Sequence, residues 1–440
     1  MKPLEKPPEH NTSVRGDMMS YLLDPQIVEA IKEFNFRYLY WSEFRYKKIP
    51  DNVTHLQLWK LLKLKRELNA EEVKISELEG FSFSYNMTPY IQEMLHRFDL
   101  NLGGTLQGHG IIPVDDKDKF LITSIMEEAI ASSQLEGAST TRREAIKMLL
   151  QEREPRDKSE QMILNNYNTI KTLSGLKDEK LTMDIILDIH RKITEDTLDD
   201  PAYAGRLRTS DDIFVIDKAT GNVIHIPPGN IYLSSLMQDL CDFANREREG
   251  EFIHPVIKAT ILHFLIGYIH PFVDGNGRTA RAVFYWCLLS KGYWLIEYMS
   301  ISRMIKDSPV QYSRAYQYTE QDENDLTYFI NYQLRTMDSA FKNLKEYIAA
   351  RVREKSQLYN FARIEGLNER QAYILKWLSE DPNMIFTIKE MENRFSIVYQ
   401  TARTDILGLE EMGFIRRNIL NRKKLVFYRS EDFNNVIRKR

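Results

Sequence analysis

The segment IHPFVDGNGRTARAVFYW, beginning at Ile269, constrains this chain more than any other. An apolar helical run, Pro255 to Ile269, stops at His270-Pro271, and a second run, Arg278 to Ser290, starts after two closely spaced glycines. Gly275-Asn276-Gly277 directly ahead of a helix lets backbone N–H groups turn inward into an anion-holding nest, to which the helix dipole adds favourable potential. Arg278 and Arg281 fall three residues apart in the first turn of that helix, and guanidinium forks match phosphate oxygens. Cations at a helix start oppose the dipole, so two of them there call for an anionic ligand. Asp274 supplies a hard oxygen ligand beside the nest, of the kind that holds a magnesium ion bridging phosphates. His270 can take a proton from an attacking hydroxyl when its ring is neutral. Together these residues imply attack on a nucleotide phosphate.

The rest of the chain has to carry this segment, and its 440 residues exceed what one core organises, which gives an expectation of two or three domains. Hydrophobic residues at 43% and charged residues at 28% exclude a disordered chain. No uninterrupted apolar run is long enough to span a bilayer, and the opening MKPLEKPPEHNTSVRGD has no apolar h-region or cleavage site. The expectation is a cytoplasmic protein without a membrane partner. Cys241 and Cys287 lie inside apolar helical patterns with no zinc or redox spacing, which fits a reducing compartment. A formal net charge of −3 argues against a chain that coats nucleic acid as a whole. From Phe361 onward, however, 15 basic and 11 acidic residues make the tail +4, which leaves the remainder at −7.

The pattern along the chain is mainly α. The stretch up to Asp17 reads as a loose tail, Pro25 to about Leu100 as a helical module, and LGGTLQGHGIIP as a linker or loop. After Asp115 helices are expected over Phe120–Glu136, Thr141–Gln151, Lys158–Leu173, Thr182–Thr197, Tyr232–Arg246, Pro255–Ile269 and Arg278–Ser290, with Thr141 and Glu144 in the form of a capping box. Between Arg208 and Pro228, IFVIDKATGNVIHIPP signals a hairpin in otherwise helical surroundings. His225, His254 and His263 lack metal-ligand spacing and read as structural. Beyond Ala349 a charged linker, ARVREKSQ, leads to helices over Asn368–Ser379, Thr387–Phe395 and Tyr399–Met412 and strands over Phe414–Ile419 and Leu425–Tyr428, a winged helix-turn-helix pattern. The expected domains are 1–112, 113–348 and 349–440.

HPFVDGNGRTAR resembles the signature of the Fic domain, H-x-F-x-D/E-G-N-G-R-x-x-R, at every defined position. AGRLRTSDDIFV and ENDLTYFINYQL are also similar to family elements, so the resemblance covers roughly Asp115 to Phe341. It implies a Fic-type helical core that transfers AMP from ATP to a Ser, Thr or Tyr hydroxyl of a target protein with magnesium. His270 would be the base, Asp274 the metal ligand, and Asn276 with the amides of Gly275 and Gly277 the phosphate cradle. Arg278 and Arg281 would clamp the distal phosphates, and a buried Phe272 would anchor the loop. The hairpin near 212–227 would be a flap that pairs with the target's backbone as an added strand.

ASSQLEGAS resembles the family's inhibitory motif S/T-x-x-x-E-G/N through Ser132, Glu136 and Gly137, in a helix near 119–137. Ser132 and Glu136 lie one turn apart, and the resemblance implies that the Glu136 carboxylate occupies the γ-phosphate's place on Arg281. In some members the same glutamate assists removal of AMP, so reversal stays open. In the tail, Arg416, Arg417, Arg422, Lys423, Lys424 and Arg429 between Gly413 and Ser430, with no acidic residue among them, suit phosphate-backbone contact by a wing. Tyr399, Gln400, Thr401 and Arg403 would start the recognition helix. Dimerisation, which would make a homo-oligomer, and protein docking are the alternatives. A rival class is a DNA-binding regulator whose nucleotide site senses ATP, and transfer of another phosphate-containing group is a third; an intact His270 favours the enzyme, because a sensor has no use for a base.

Overall fold

A computed structural model describes residues 4–8, 21–103, 117–217, 221–247, 252–420 and 424–439, with backbone alone for 354–360, 362, 420, 424 and 438–439. Most of the expected loose tail, the linker from position 104 to 113 and the tip of the hairpin at 218–220 lie outside the described residues. The described chain forms two compact units, Met1–Leu344 and Lys345–Arg440.

The first unit opens with α1 (Pro25–Arg37), α2 (Trp41–Phe44) and α3 (His55–Leu68). α1 and α3 begin on side-chain caps from Asp24 and Thr54 and bury Ile27, Ile31, Leu58 and Leu62 in one aromatic-rich cluster. The expectation of an all-helical module fails at β1 (Ala70–Lys74) and β2 (Ser82–Asn86), an antiparallel hairpin in which Val73 faces Phe83. Val73 of β1 and Phe83 and Tyr85 of β2 turn into the core, too few positions to stand out beside long helical runs. α4 (Pro89–Leu102) closes the module. It is no separate body: Tyr38 Oη donates to Asp325 Oδ2 at 2.6 Å, and Lys63 Nζ lies 3.0 Å from Asp322 Oδ1.

α5 (Lys117–Leu135), α6 (Arg142–Leu150), α7 (Lys158–Leu173) and α8 (Met183–Thr194) follow. Thr141 caps α6 by accepting from Glu144 N, but the Glu144 carboxylate turns to Arg156 at 3.3 Å, so the cap is one-sided. The hairpin is β3 (Val215–Ile216) against β4 (Val223–His225). Then come α9 (Leu233–Asn245), α10 (Pro255–Ile269), α11 (Asn276–Ser290), α12 (Ile301–Asp307), α13 (Pro309–Gln321) and α14 (Thr327–Ala362). α10 is apolar on all sides and nearly every residue from Val256 to Ile269 is buried, the mark of a core helix. Among the described residues no helix is long and apolar enough to cross a membrane. α11 packs on α10, α8, α7 and α5, so the loop between α10 and α11 emerges from the middle of a packed helical core.

ARVREKSQ, expected as a linker, is helical within α14. Ala, Arg, Glu, Lys and Gln favour helix, and neither glycine nor proline interrupts Thr327 to Ala362. The second unit contains α15 (Glu369–Glu380), β5 (Ile385–Phe386), α16 (Ile388–Phe395), α17 (Tyr399–Glu411), β6 (Ile415–Leu420), β7 (Lys424–Arg429) and α18 (Phe433–Lys439). Asn368 with Gln371 and Thr387 with Glu390 form capping boxes at α15 and α16. The sheet is antiparallel in the order β5-β7-β6; β5 and α18 were too short to carry a periodic signal.

Candidate active site

α10 ends at His270, whose backbone adopts a left-handed conformation (φ 49°, ψ 57°) and donates its N–H to Ile266 O. The ring's Nδ1 lies 3.2 Å from Gly267 O. A carbonyl oxygen only accepts, so Nδ1 carries the proton and Nε2 keeps its lone pair. Burial, with the His225 imidazole and the Arg208 guanidinium nearby, holds the imidazole below its ordinary pKa despite the Gly267 bond and the charge of Glu136, so the neutral ring is favoured.

The turn after His270 is braced from within. Asn276 Oδ1 accepts from Phe272 N at 2.9 Å, and its Nδ2 donates to Phe272 O at 2.8 Å. The side chain of Asn276 thus mimics a backbone pairing, and what it leaves for a phosphate is its own N–H. Helix α11 begins at Asn276 rather than at Arg278 as expected, which puts Gly277 inside the first turn. Gly275 sits at φ 83°, and a Cβ there would meet Thr194 Cγ2 at 2.8 Å, so both its conformation and its space require glycine. Phe272 is fully buried with its ring stacked on His190 at 3.7 Å.

The two arginines part company. Arg281 aims at α5: its Nε donates to Ser132 Oγ at 2.8 Å, and Nη2 donates to Ser132 O at 3.1 Å and to Glu136 Oε1 at 2.8 Å. Burial works against its charge, but Glu136 together with Tyr312 and Glu128 outweighs it and raises its pKa. Arg278, the other residue expected to clamp distal phosphates, is held differently. It is fully buried, donates to Ile193 O at 3.1 Å and braces Asp274 Oδ2 at 3.4 Å. Three residues of helix place them near one face, but packing against α8 draws Arg278 inward.

Glu136 follows Leu135, the last residue of α5, and precedes a left-handed Gly137 (φ 108°), and the end of α5 is a Schellman turn: Gly137 N donates to Gln134 O and Ala138 N to Ser133 O. This turn delivers the carboxylate onto the start of α11. A Cβ on Gly277 would come within 2.2 Å of Glu136 Oε1, so the glutamate lies where an anion would sit against the helix N-terminus. A cavity of about 460 Å³ gathers Glu136, His270, Gly277 and Arg281 under the hairpin and against α13. Asp274, half exposed, stands at the same turn and accepts from Gly275 N at 2.6 Å.

Two residues of the site went unsuspected in the sequence. His190 on α8 accepts from Gly205 N at its Nδ1 and donates from Nε2 to Asp274 O at 2.9 Å; burial lowers its pKa to about 4, so it is a neutral strut. Arg208 donates from Nε to His270 O at 3.0 Å, from its N–H to Pro271 O at 2.9 Å, and from Nη2 to Pro228 O, which ties the hairpin's ends to the loop. His225, expected to be merely structural, lines the cavity. His254 and His263 lie outside it; burial, with the charge of Arg281, lowers His263 to about 3.

These features define a helical domain that sets a neutral imidazole beside a helix N-terminus and a buried arginine. Residues 180–288 match the model of the Fic/DOC family. Over 117 residues the chain is 36% identical to a protein adenylyltransferase Fic of Nematostella vectensis, a match that covers 27% of this chain and 25% of that protein. A protein of the same name from Drosophila willistoni is 36% identical over 114 residues, 26% of this chain and 21% of its own length. The matched stretch thus spans about a quarter of these relatives. A solved Fic family protein from Desulfovibrio desulfuricans aligns with 79% of this chain and 98% of its own at 18% identity, with a TM-score of 0.49.

Proposed function

We propose that this protein transfers AMP from ATP to a Ser, Thr or Tyr hydroxyl of a target protein and that Glu136 holds it in check. The observation that carries this is the single tautomer of His270: its Nε2 lone pair is presented to a cavity that also holds Arg281 and the start of α11. The target's hydroxyl oxygen attacks the α-phosphorus as His270 Nε2 takes its proton; the bond to the β-phosphate oxygen breaks and pyrophosphate leaves. The N–H groups of Asn276 and Gly277 face the phosphates, and Arg281 holds the γ-phosphate once Glu136 withdraws. Arg278 acts beneath the site, fixing Asp274. Among the described residues no three His, Cys, Asp or Glu side chains cluster to hold a metal alone. One carboxylate beside a phosphate site fits magnesium, which draws its other ligands from phosphates and water; bound there, it would neutralise charge on the leaving pyrophosphate. The half-exposed Asp274 would be its protein ligand.

The hairpin, with Phe214, Ile216, Val223 and Ile226 exposed, is the surface on which an extended target segment would add as a strand. For the second unit, three helices and the β6-β7 ribbon suit a winged helix that binds DNA. Arg416 and Arg417 lie on β6, where they face Asp432 at 3.8 Å and Glu410 at 3.0 Å. Arg422 and Lys423 lie outside the described residues, and Lys424 begins β7. The free, buried Cys241 and Cys287 suit the cytoplasm.

The test is incubation of the purified protein with magnesium, a host lysate and ATP labelled in either the base or the γ-phosphate, followed by mass spectrometry. Label from the base on a hydroxyl side chain, with none from the γ-phosphate, is the expected result. Retention of the γ-phosphate alone would make it a kinase-like phosphotransferase and overturn the proposal.

A further inference from the structure

The cavity wall opposite His270 contains a second imidazole with a demanding set of partners. His225 ends β4 with its side chain 10% exposed. Its Nε2 lies 2.6 Å from Tyr268 O, and its Nδ1 lies 2.9 Å from Oε2 of Glu320 on α13. The carbonyl oxygen only accepts, so Nε2 carries a proton and donates it. Nδ1 then faces a carboxylate oxygen at hydrogen-bonding distance, and this contact is attractive only with a second proton between the two atoms. Without that proton, two lone pairs would face each other away from water.

What the proton secures is the hairpin. The last carbonyls of a helix have no partner within it. At the end of α10, Ile266 O and Gly267 O are taken by His270 itself, and Tyr268 O is taken by His225. A cation there also suits the helix dipole. One ring therefore joins β4 to α13 and to the helix that ends in the base. The groups around it are few. Its partner on β3 is the uncharged Val215, and Tyr268 stays protonated because burial and the Glu320 charge push its hydroxyl up to about 12. His270 and Arg208 follow on the α10 side, and Asp217 and Glu136 line the same cavity.

We infer that His225 and Glu320 form a proton-dependent latch that positions the hairpin, and any target segment paired with it, over His270. The role assigned to the hairpin rests on the proposed function, but the latch can be measured without ATP or target. Amide hydrogen exchange of Val215, Ile216 and Val223–His225, expressed as protection over the intrinsic rate at each pH, reports its closure; α11 amides serve as the control for folding. In the wild type, protection should fall by up to tenfold per pH unit as rising pH strips the proton from the open form while the closed form still holds it, and should level off once the shared proton is lost from both. Glu320→Gln discriminates the proton from mere packing, because its amide N–H can donate to Nδ1 of a neutral ring; protection should then stay level with pH. His225→Ala should be poorly protected throughout. Wild-type protection that does not vary with pH, or Glu320→Gln protection that falls in parallel with the wild type, would overturn the latch. A working latch in a protein that transfers no AMP would refute the proposed function alone.

Discussion

His270 owes its readiness to a single carbonyl. Because Gly267 O fixes the proton on Nδ1 and burial disfavours the charged ring, Nε2 is a base over a range that reaches lower in pH than an ordinary imidazole allows. The sign is set by the lowered pKa: transfer should rise with pH through that value and be lost below it as the ring protonates. The acid limb of the pH–rate profile should therefore lie under the usual histidine range; a limb at or above that range would contradict the assignment. His270→Ala should lower the transfer rate by roughly a hundred- to ten-thousand-fold with ATP binding and melting temperature little changed. At this scale the sequence disclosed the contiguous residues, whose types and spacing carry the chemistry. It could not disclose His190 or Arg208, which reach the loop from 84 and 62 residues away, nor that Arg278 turns inward while Arg281 turns to α5.

The element that matters most is α5, which is anchored at two levels. Glu128, buried, accepts from Ser302 N at 2.8 Å and from Ser300 Oγ at 3.1 Å, placing a carboxylate at the start of α12 where the helix dipole favours it. One and two turns later, Ser132 and Glu136 engage Arg281. Glu128→Ala leaves a buried donor without its partner and should cost about 1–3 kcal/mol in urea unfolding. If α5 must be seated for Glu136 to reach Arg281, the same variant should also transfer AMP faster than wild type; lower stability with unchanged transfer would separate the anchor from the brake. Helices were the legible part of this fold because α7 and α10 carry long unbroken periodic or apolar runs with clear caps. The start of α11 was misjudged by two residues because Asn276 and Gly277 are poor helix formers, held in the helix by the Phe272 backbone pairing. β1, β2 and β5 are two to five residues long and draw their order from what they pack against, which no local pattern reveals.

At the scale of the whole molecule, an anion site in Met1–Leu344 is followed by a basic ribbon in Lys345–Arg440, and each makes its own demand. If the ribbon binds DNA, affinity should fall steeply as salt rises, and replacing Lys423 and Lys424 with alanine should weaken all sequences alike and reduce the salt slope by about two. No retention on DNA at low salt would leave docking or dimerisation. The proposed transfer of AMP turns on Arg281, which Glu136 holds in this structure. On the proposed function, the γ-phosphate and the Glu136 carboxylate would both seek the guanidinium that Glu136 holds in this structure, and the tethered carboxylate would compete at a high effective concentration without the cost of a bimolecular encounter. The decisive measurement is the rate of AMP incorporation from ATP and magnesium into the protein itself, compared among wild type, Glu136→Gly and the double variant Glu136→Gly with His270→Ala. The expected order is slow, much faster, and background. No incorporation by Glu136→Gly, or equal incorporation with and without the imidazole, would contradict an AMP-transferring site built on His270.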